Sequence, residues 1–413
     1  MTPETVKGAH RLTGKLGMIL CICTGLLLGG CAAPAPRPEP SPAGPTEGSR
    51  GTETSFAATS ASQEAPGHEV FSFDPIVWED EGEGVSPFVW VAPNPLSQNT
   101  LIPSFAGTVT DPSAWPTVLR QTKVLKLYIQ YLAMASKGEL RRIADFVREQ
   151  KLAVAVEVGG IRMASADTPD DEMGITASRD NELMMLYKFV SVGGRIDYIT
   201  TDHALADLMT GRDKSRPEMT LQKLAEQQML YFRYIREWFP QVKCGAIESL
   251  GYFWVNGDRQ YQATDGALDR VDFETYLAEY TRIAAEYGVP IDHFHIDFGM
   301  HDVEYDGGYG RILAVEALCR AQGLQTGFVA ANAFHYPNAA VTGDDVAKAS
   351  ASAAERTLRY FEGYMQAGGS ADYLVLQRWQ PYPIAVGGET EPLSNMGIFK
   401  AIIDSAYFPR KGE

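Results

Sequence analysis

A single-domain, parallel (β/α)8 barrel is the fold class this sequence predicts, on three observations. From about residue 85 onward, eight short runs rich in β-branched and aromatic residues alternate with longer helical patterns. Capping residues such as Ser113, Asp344 and Ser394 open helices, and Gly193, Gly288, Gly323 and Gly368 stand near their ends. The runner-up, an open doubly wound sheet, would need a Gly-rich fingerprint after an early strand. Only the lone pairs Gly159-Gly160 and Gly193-Gly194 are present, and loop or cap positions account for them.

The elements follow in chain order. Phe88 to Ala92 (FVWVA) is the first predicted strand, and Asp111-Pro112 precedes a short helix over Ser113 to Thr122. Val124 to Leu132 is the second run. Gly138 to Gln150 follows as a helix with Leu140, Ile143, Phe146 and Val147 on one face. Leu152 to Val158, Ile196 to Thr201 and Val242 to Ile247 are the third to fifth strands. Their helices are expected over Ser178 to Val192, Thr220 to Trp238 and Asp272 to Tyr287. Pro290 to Asp297, Gln325 to Ala330 and Tyr373 to Gln377 complete the eight. Helices are expected over Tyr309 to Ala321, Asp344 to Gln366 and Ser394 to Ala406.

The N-terminal residues read differently. Lys7, Arg11 and Lys15 precede a short apolar run from Leu16 to Leu28, too short for a span of about 20 residues. Leu28-Gly29-Gly30-Cys31 follows and resembles the lipobox of bacterial lipoproteins. That resemblance implies a signal peptide over residues 1–30, cleavage before Cys31 and a lipid on its sulfur. Ala32, rather than aspartate, follows the cysteine, so the expected address is the outer membrane of the cell envelope. Residues 31–67 carry prolines at 34, 36, 38, 40, 42 and 45 and then Gly, Ser, Thr and Glu. This composition makes a disordered tether and cannot bury a core. The barrel domain is therefore assigned to residues 68–413.

Composition excludes some functions. A net charge of −16 repels phosphates, so no nucleic-acid partner is expected. Cys244 and Cys319 lie in apolar surroundings and are expected as buried free thiols. No paired-cysteine metal spacing occurs, and neither metal nor cofactor is expected.

In such barrels the chemistry comes from the C-terminal strand ends. The sixth strand, in IDHFHIDFGMH, puts His293, His295 and Asp297 on one face. The third strand ends with Glu157, the fourth with Asp202-His203 and the fifth with Glu248. Lys126 and Tyr128 share a face of the second, Asn332 follows the seventh, and Gln377 and Trp379 end the eighth. Four consecutive strands thus present an acid where a generic barrel has Val, Ile or Leu. An isolated acid there is more often a helix cap, and a single buried histidine more often core, so the conjunction carries the reading. Several carboxylates among Trp, Tyr and amide side chains suit glycosidic cleavage, in which one acid protonates the leaving oxygen and another attacks or activates water. Tyr252, Phe253 and Trp254 after the fifth strand supply flat apolar surface.

In architecture and strand-end chemistry, residues 85–410 resemble the TIM-barrel glycoside hydrolase superfamily. The alpha-amylase-like barrels imply Asp202 as nucleophile and Glu248 as acid. The alpha-galactosidase-like barrels imply Asp202 and Asp297. The working assignment is Glu248 as proton donor, Asp202 as nucleophile or base and Asp297 as alternative donor or transition-state stabiliser. Glu157, His203, His295, Tyr128, Trp254, Asn332, Gln377 and Trp379 are expected to bind sugar. Two other readings stay open: a non-catalytic carbohydrate-binding envelope lipoprotein on a degenerate barrel, and a metal-dependent sugar-processing barrel.

Overall fold

A computed structural model of the chain describes residues 70–76, 88–97, 100–163, 172–203, 220–256, 271–298, 303, 308–330, 344–378, 383 and 385–409. The eight expected runs form one closed parallel barrel. Its strands are β1 Phe88–Ala92, β2 Thr122–Tyr128, β3 Ala153–Val158, β4 Tyr198–Asp202, β5 Lys243–Ser249, β6 His293–Asp297, β7 Gln325–Val329 and β8 Tyr373–Gln377. Each pairs with the next in sequence, and β8 pairs with β1 to close the sheet. The described helices are α1 Phe105–Val109, α2 Pro116–Gln121, α3 Ile129–Met134, α4 Lys137–Glu149, α5 Glu172–Val190, α6 Leu221–Trp238, α7 Phe273–Glu286, α8 Gly310–Ala321, α9 Asp344–Gln366 and α10 Asn395–Asp404.

Alternation divides the strands between two environments. Leu125, Leu127, Val154, Val156, Ile199, Cys244, Ala246, Phe294, Ile296 and Phe328 face outward and join the helices in the large core. Trp90, Val124, Ala153, Ala155, Tyr198, Ile247, Val329, Tyr373 and Val375 form the inner cluster. Cys244 and Cys319 are buried free thiols, as expected. Helix starts follow local chemistry: Ser136 and Glu139 form a capping box on α4, and Thr220, Asp272 and Ser394 cap α6, α7 and α10.

Several boundaries differ from expectation. The sixth strand starts at His293 rather than Pro290, α2 at Pro116 rather than Ser113, and α5 at Glu172 rather than Ser178. The second run leaves the sheet at Tyr128, and Ile129–Met134 wind into α3, where the Tyr131 ring packs 4.6 Å from Phe105. Tertiary packing outweighs the strand character of those residues. The fifth strand runs past Ile247 to Ser249, paired with Asp297 of β6.

The barrel bottom carries a repeated clamp. An aspartate just before each of β4, β6 and β8 accepts the backbone N–H of the preceding odd strand. Asp197 takes Val154 N, Asp292 takes Cys244 N and Asp372 takes Thr326 N, each at 2.8 Å. These bonds fix the relative register of neighbouring strands where no ladder partner is left. Removing one carboxylate strands a buried amide, which costs about 1–3 kcal/mol. Asp292→Ala and Asp372→Ala are therefore each expected to lower the urea midpoint by an amount of that order with the denaturant slope unchanged.

Candidate active site

The interior rows set the site. On the even strands, Lys126, Thr200, His295 and Val375 occupy one level, and Tyr128, Asp202, Asp297 and Gln377 stand two residues nearer the C-terminal mouth. Glu157 enters from β3, opposite Tyr128 in register. Three of the four expected acids, Glu157, Asp202 and Asp297, thus share the inner face.

Glu248 does not join them. Its strand neighbours Cys244 and Ala246 belong to the outer core, whereas Ile247 lies in the inner cluster. Glu248 is paired with outward-facing Ile296, is 0% exposed, and accepts from Tyr276 Oη of α7 at 3.4 Å. The parity of β5 turns this carboxyl toward the helix layer, so the expected proton donor is the one acid placed away from the mouth.

Glu157 is held by a buried clamp. Lys126 Nζ lies 2.5 Å from Glu157 Oε2 and donates to Gln377 Oε1 at 2.7 Å, and Gln377 Nε2 donates to Glu157 Oε2 at 3.1 Å. Burial raises the Glu157 carboxyl above its ordinary range, against the opposing pull of Lys126. Sequence reasoning placed Lys126 beside Tyr128 but not against Glu157. The signal was available, because a lysine of inward parity inside a barrel needs an anion. Gln377, expected to touch sugar, is 2% exposed and belongs to the clamp.

Asp202 and Asp297 meet at His203. Its Nε2 lies 3.6 Å from Asp202 Oδ1 and 3.4 Å from Asp297 Oδ2. Asp202 is the more open carboxylate, with 31% of its side chain exposed against 8% for Asp297. His203 adopts φ +48°, a left-handed conformation uncommon for a residue with a side chain. Its backbone N–H donates to Ile247 O at 2.9 Å, which extends the β4–β5 ladder and holds the turn. Strain of this kind collects at functional sites. Tyr128 Oη donates to the Arg378 carbonyl at 3.0 Å. Burial raises its hydroxyl well above the ordinary range, and the nearby charges of Glu157, Asp202 and Asp297 push the same way.

Below the mouth the interior is aromatic and polar. His293 Nε2 and Thr200 Oγ1 are 2.9 Å apart, and the Trp90 ring meets His295 edge-on at 4.7 Å. Burial, then the Lys126 and Lys243 charges, pushes His293 down to about 3, and burial holds His295 well below the usual range. Both imidazoles are neutral at ordinary pH. A Cβ on Gly245 would stand 2.4 Å from the His293 ring, and one on Gly327 would stand 2.4 Å from the His295 ring, so glycine makes room for each. His295 is fully buried one level beneath the mouth, which places it in the floor rather than at the rim.

Trp254 is half-buried in a two-residue ladder with Asp272 at the start of α7. Asn332, Trp379 and Cys31 lie outside the described residues. Among the described residues, no three His, Cys, Asp or Glu side chains are grouped to hold a metal ion. Removing Lys126 would leave Glu157 buried without its cation, a change that typically costs about 3–5 kcal/mol. Lys126→Met is expected to destabilise the fold on that scale in chemical denaturation. Adding Glu157→Gln to it should restore most of the loss, the coupling of a double-mutant cycle.

No family model matches the chain, and no curated protein does. Among solved structures it is similar to xylanase B from Clostridium stercorarium F9, at 12% identity and TM-score 0.42 over 77% of this chain and 96% of that one. It is also similar to a Cellulomonas fimi endo-beta-1,4-mannanase double mutant, at 10% identity and TM-score 0.44 over 79% and 72%. A D-psicose 3-epimerase in the presence of D-fructose matches at 10% identity and TM-score 0.33 over 64% and 78%. The fold assignment rests on the chain's own strand pairing, which closes the barrel independently of these distant likenesses.

Proposed function

We propose that the barrel cleaves glycosidic bonds of an oligo- or polysaccharide, with Asp202 and Asp297 as the carboxylate pair. The observation that carries the reading is the meeting of these two carboxylates at one nitrogen, His203 Nε2, at the open end of the barrel. Their distances to that atom cap the separation of the two oxygens at about 7 Å. Retaining enzymes hold their carboxyl groups about 5–5.5 Å apart and inverting ones about 6.5–9.5 Å apart. The bound applies to one oxygen of each carboxylate and admits the retaining separation, so the course written here is retention.

In that mechanism a carboxylate oxygen of Asp202, the more open of the pair, attacks the anomeric carbon. The glycosidic bond breaks as Asp297 gives its proton to the leaving oxygen. Water then attacks the glycosyl ester, Asp297 takes the water proton, and Asp202 leaves. His203 keeps the two groups in register with each other. Glu157, oriented through Oε2 by Lys126 and Gln377, offers its other oxygen to a sugar hydroxyl. The Cys31 lipid and the tether would hold the enzyme at the cell envelope. A second reading, sugar binding without cleavage, is favoured by the Lys126 pair that neutralises Glu157.

The test is a glycan panel with four proteins. The unaltered chain should release reducing ends of retained configuration. Asp202→Asn and Asp297→Asn should each lower kcat by about 10³-fold, within the range for loss of a catalytic acid or base. Glu248→Gln should keep kcat within a few-fold once folding is matched. Binding of a glycan without turnover by the unaltered chain would select the second reading, and a large kcat loss in Glu248→Gln would refute the assignment.

A further inference from the structure

Outside the barrel wall, a fully buried carboxyl reaches the backbone behind two of the mouth acids. Glu182 of α5 is 5% exposed and accepts from Gly159 N at 2.8 Å and from Tyr231 Oη of α6 at 2.7 Å. The Gly160 N–H is a further donor to it. Gly159 is the second residue after Glu157. Gly160 has φ +55°, and a Cβ there would stand 2.8 Å from Thr201 Cγ2 and 3.2 Å from Gln228 Oε1. Only glycine lets this turn lie against Thr201, the residue immediately before Asp202. One side chain therefore stands behind the ends of both β3 and β4.

We propose that Glu182 is a positioning residue. From the helix layer it holds the Gly159–Gly160 turn, and through that turn it seats Glu157 and Asp202. The catalytic consequence rests on the sugar-cleaving reading; the seating itself does not.

The site also responds to pH. Burial carries the Glu182 carboxyl up to about 7, against the pull of its three donors. The titratable groups facing it are Tyr231 and, beyond it, Cys244 of β5, both kept protonated by burial. Because the folded value lies above the ordinary 4.5, the native state binds this proton more tightly than the unfolded chain. Its contribution to stability is full below the ordinary value and falls as pH climbs to about 7.

The experiment compares the full chain with Glu182→Gln and with Tyr231→Phe, which keeps the carboxyl but loses one donor. Between the ordinary value and about 7, stability should decline less steeply in Glu182→Gln than in the unaltered chain, the remaining decline coming from the other raised carboxyls, Glu157, Asp292 and Glu316. Amide hydrogen exchange should rise about tenfold at residues 159–163 and also at 201–203, the scale of one lost hydrogen bond. Tyr231→Phe should move both segments in the same direction by about threefold. On a cleaved glycan, Glu182→Gln should lower kcat about tenfold with KM little changed and remove an inflection near the Glu182 value. Unchanged exchange at 201–203 in both variants overturns the proposal, as does an unchanged kcat and pH profile in an active Glu182→Gln. Faster exchange in both segments, in a protein that cleaves no glycan, upholds the seating and removes the sugar-cleaving reading instead.

Discussion

Everything at the mouth depends on one constraint: a strand in a closed sheet lends only every second residue to the interior. Slipping one strand by a single residue would exchange its inner and outer sets completely. Asp202 and Asp297 reach the mouth because Tyr198, Thr200, His293 and His295 share their parity. Glu248 is lost to the mouth because Ile247, not Glu248, carries the inward parity of β5. The aspartate clamps at the opposite end guard this arrangement. Each ties an even strand to the odd strand before it, at the face where loops rather than ladders must hold the register.

The interior bears an unusual polar load for a barrel, and two different devices make it tolerable. The histidines shed their charge, since burial drives both to the neutral form, and they pack on Trp90, Tyr198 and Tyr373 as flat rings. Lys126 and Glu157 instead share an ion pair, with the Gln377 amide bridging them. A buried pair recovers its desolvation cost only with good geometry and further hydrogen bonds, and the amide supplies those. The result is a rigid floor beneath the acids that meet at His203.

The barrel was legible because its signal is repeated. Eight alternations, helix caps and glycine stops all point to one architecture, so an error at one boundary leaves the fold unchanged. β2 shows such an error: Ile129, Tyr131 and Leu132 read as strand but are buried as a helix, with Tyr131 against Phe105. The site depends on single residues and was legible only in part. In HFHID the polar residues share one parity and the apolar ones the other, so Asp297 could be assigned to the inner face. In KCGAIES both parities carry apolar residues, Cys and Ala on one and Ile on the other, and only the packed helix decides between them. The left-handed turn at His203 and the pairing of Lys126 with Glu157 arise from neighbours distant in sequence.

The buried carboxyls sort by layer. Three that face the helices each take a tyrosine hydroxyl: Glu182 with Tyr231, Glu248 with Tyr276 and Glu316 with Tyr364. Burial raises Glu182 and Glu316 above the ordinary range. A phenol held neutral by burial is a donor that brings no counter-charge, so it suits a carboxyl whose task is to bind backbone or helix. The mouth acids are met differently, by a lysine at Glu157 and by an imidazole between Asp202 and Asp297. Lysine brings a counter-charge of its own, and the imidazole presents one nitrogen to both aspartates. The division between phenol-bound and cation- or imidazole-bound carboxyls follows the barrel wall, with the first group on the helix side and the second on the inner side.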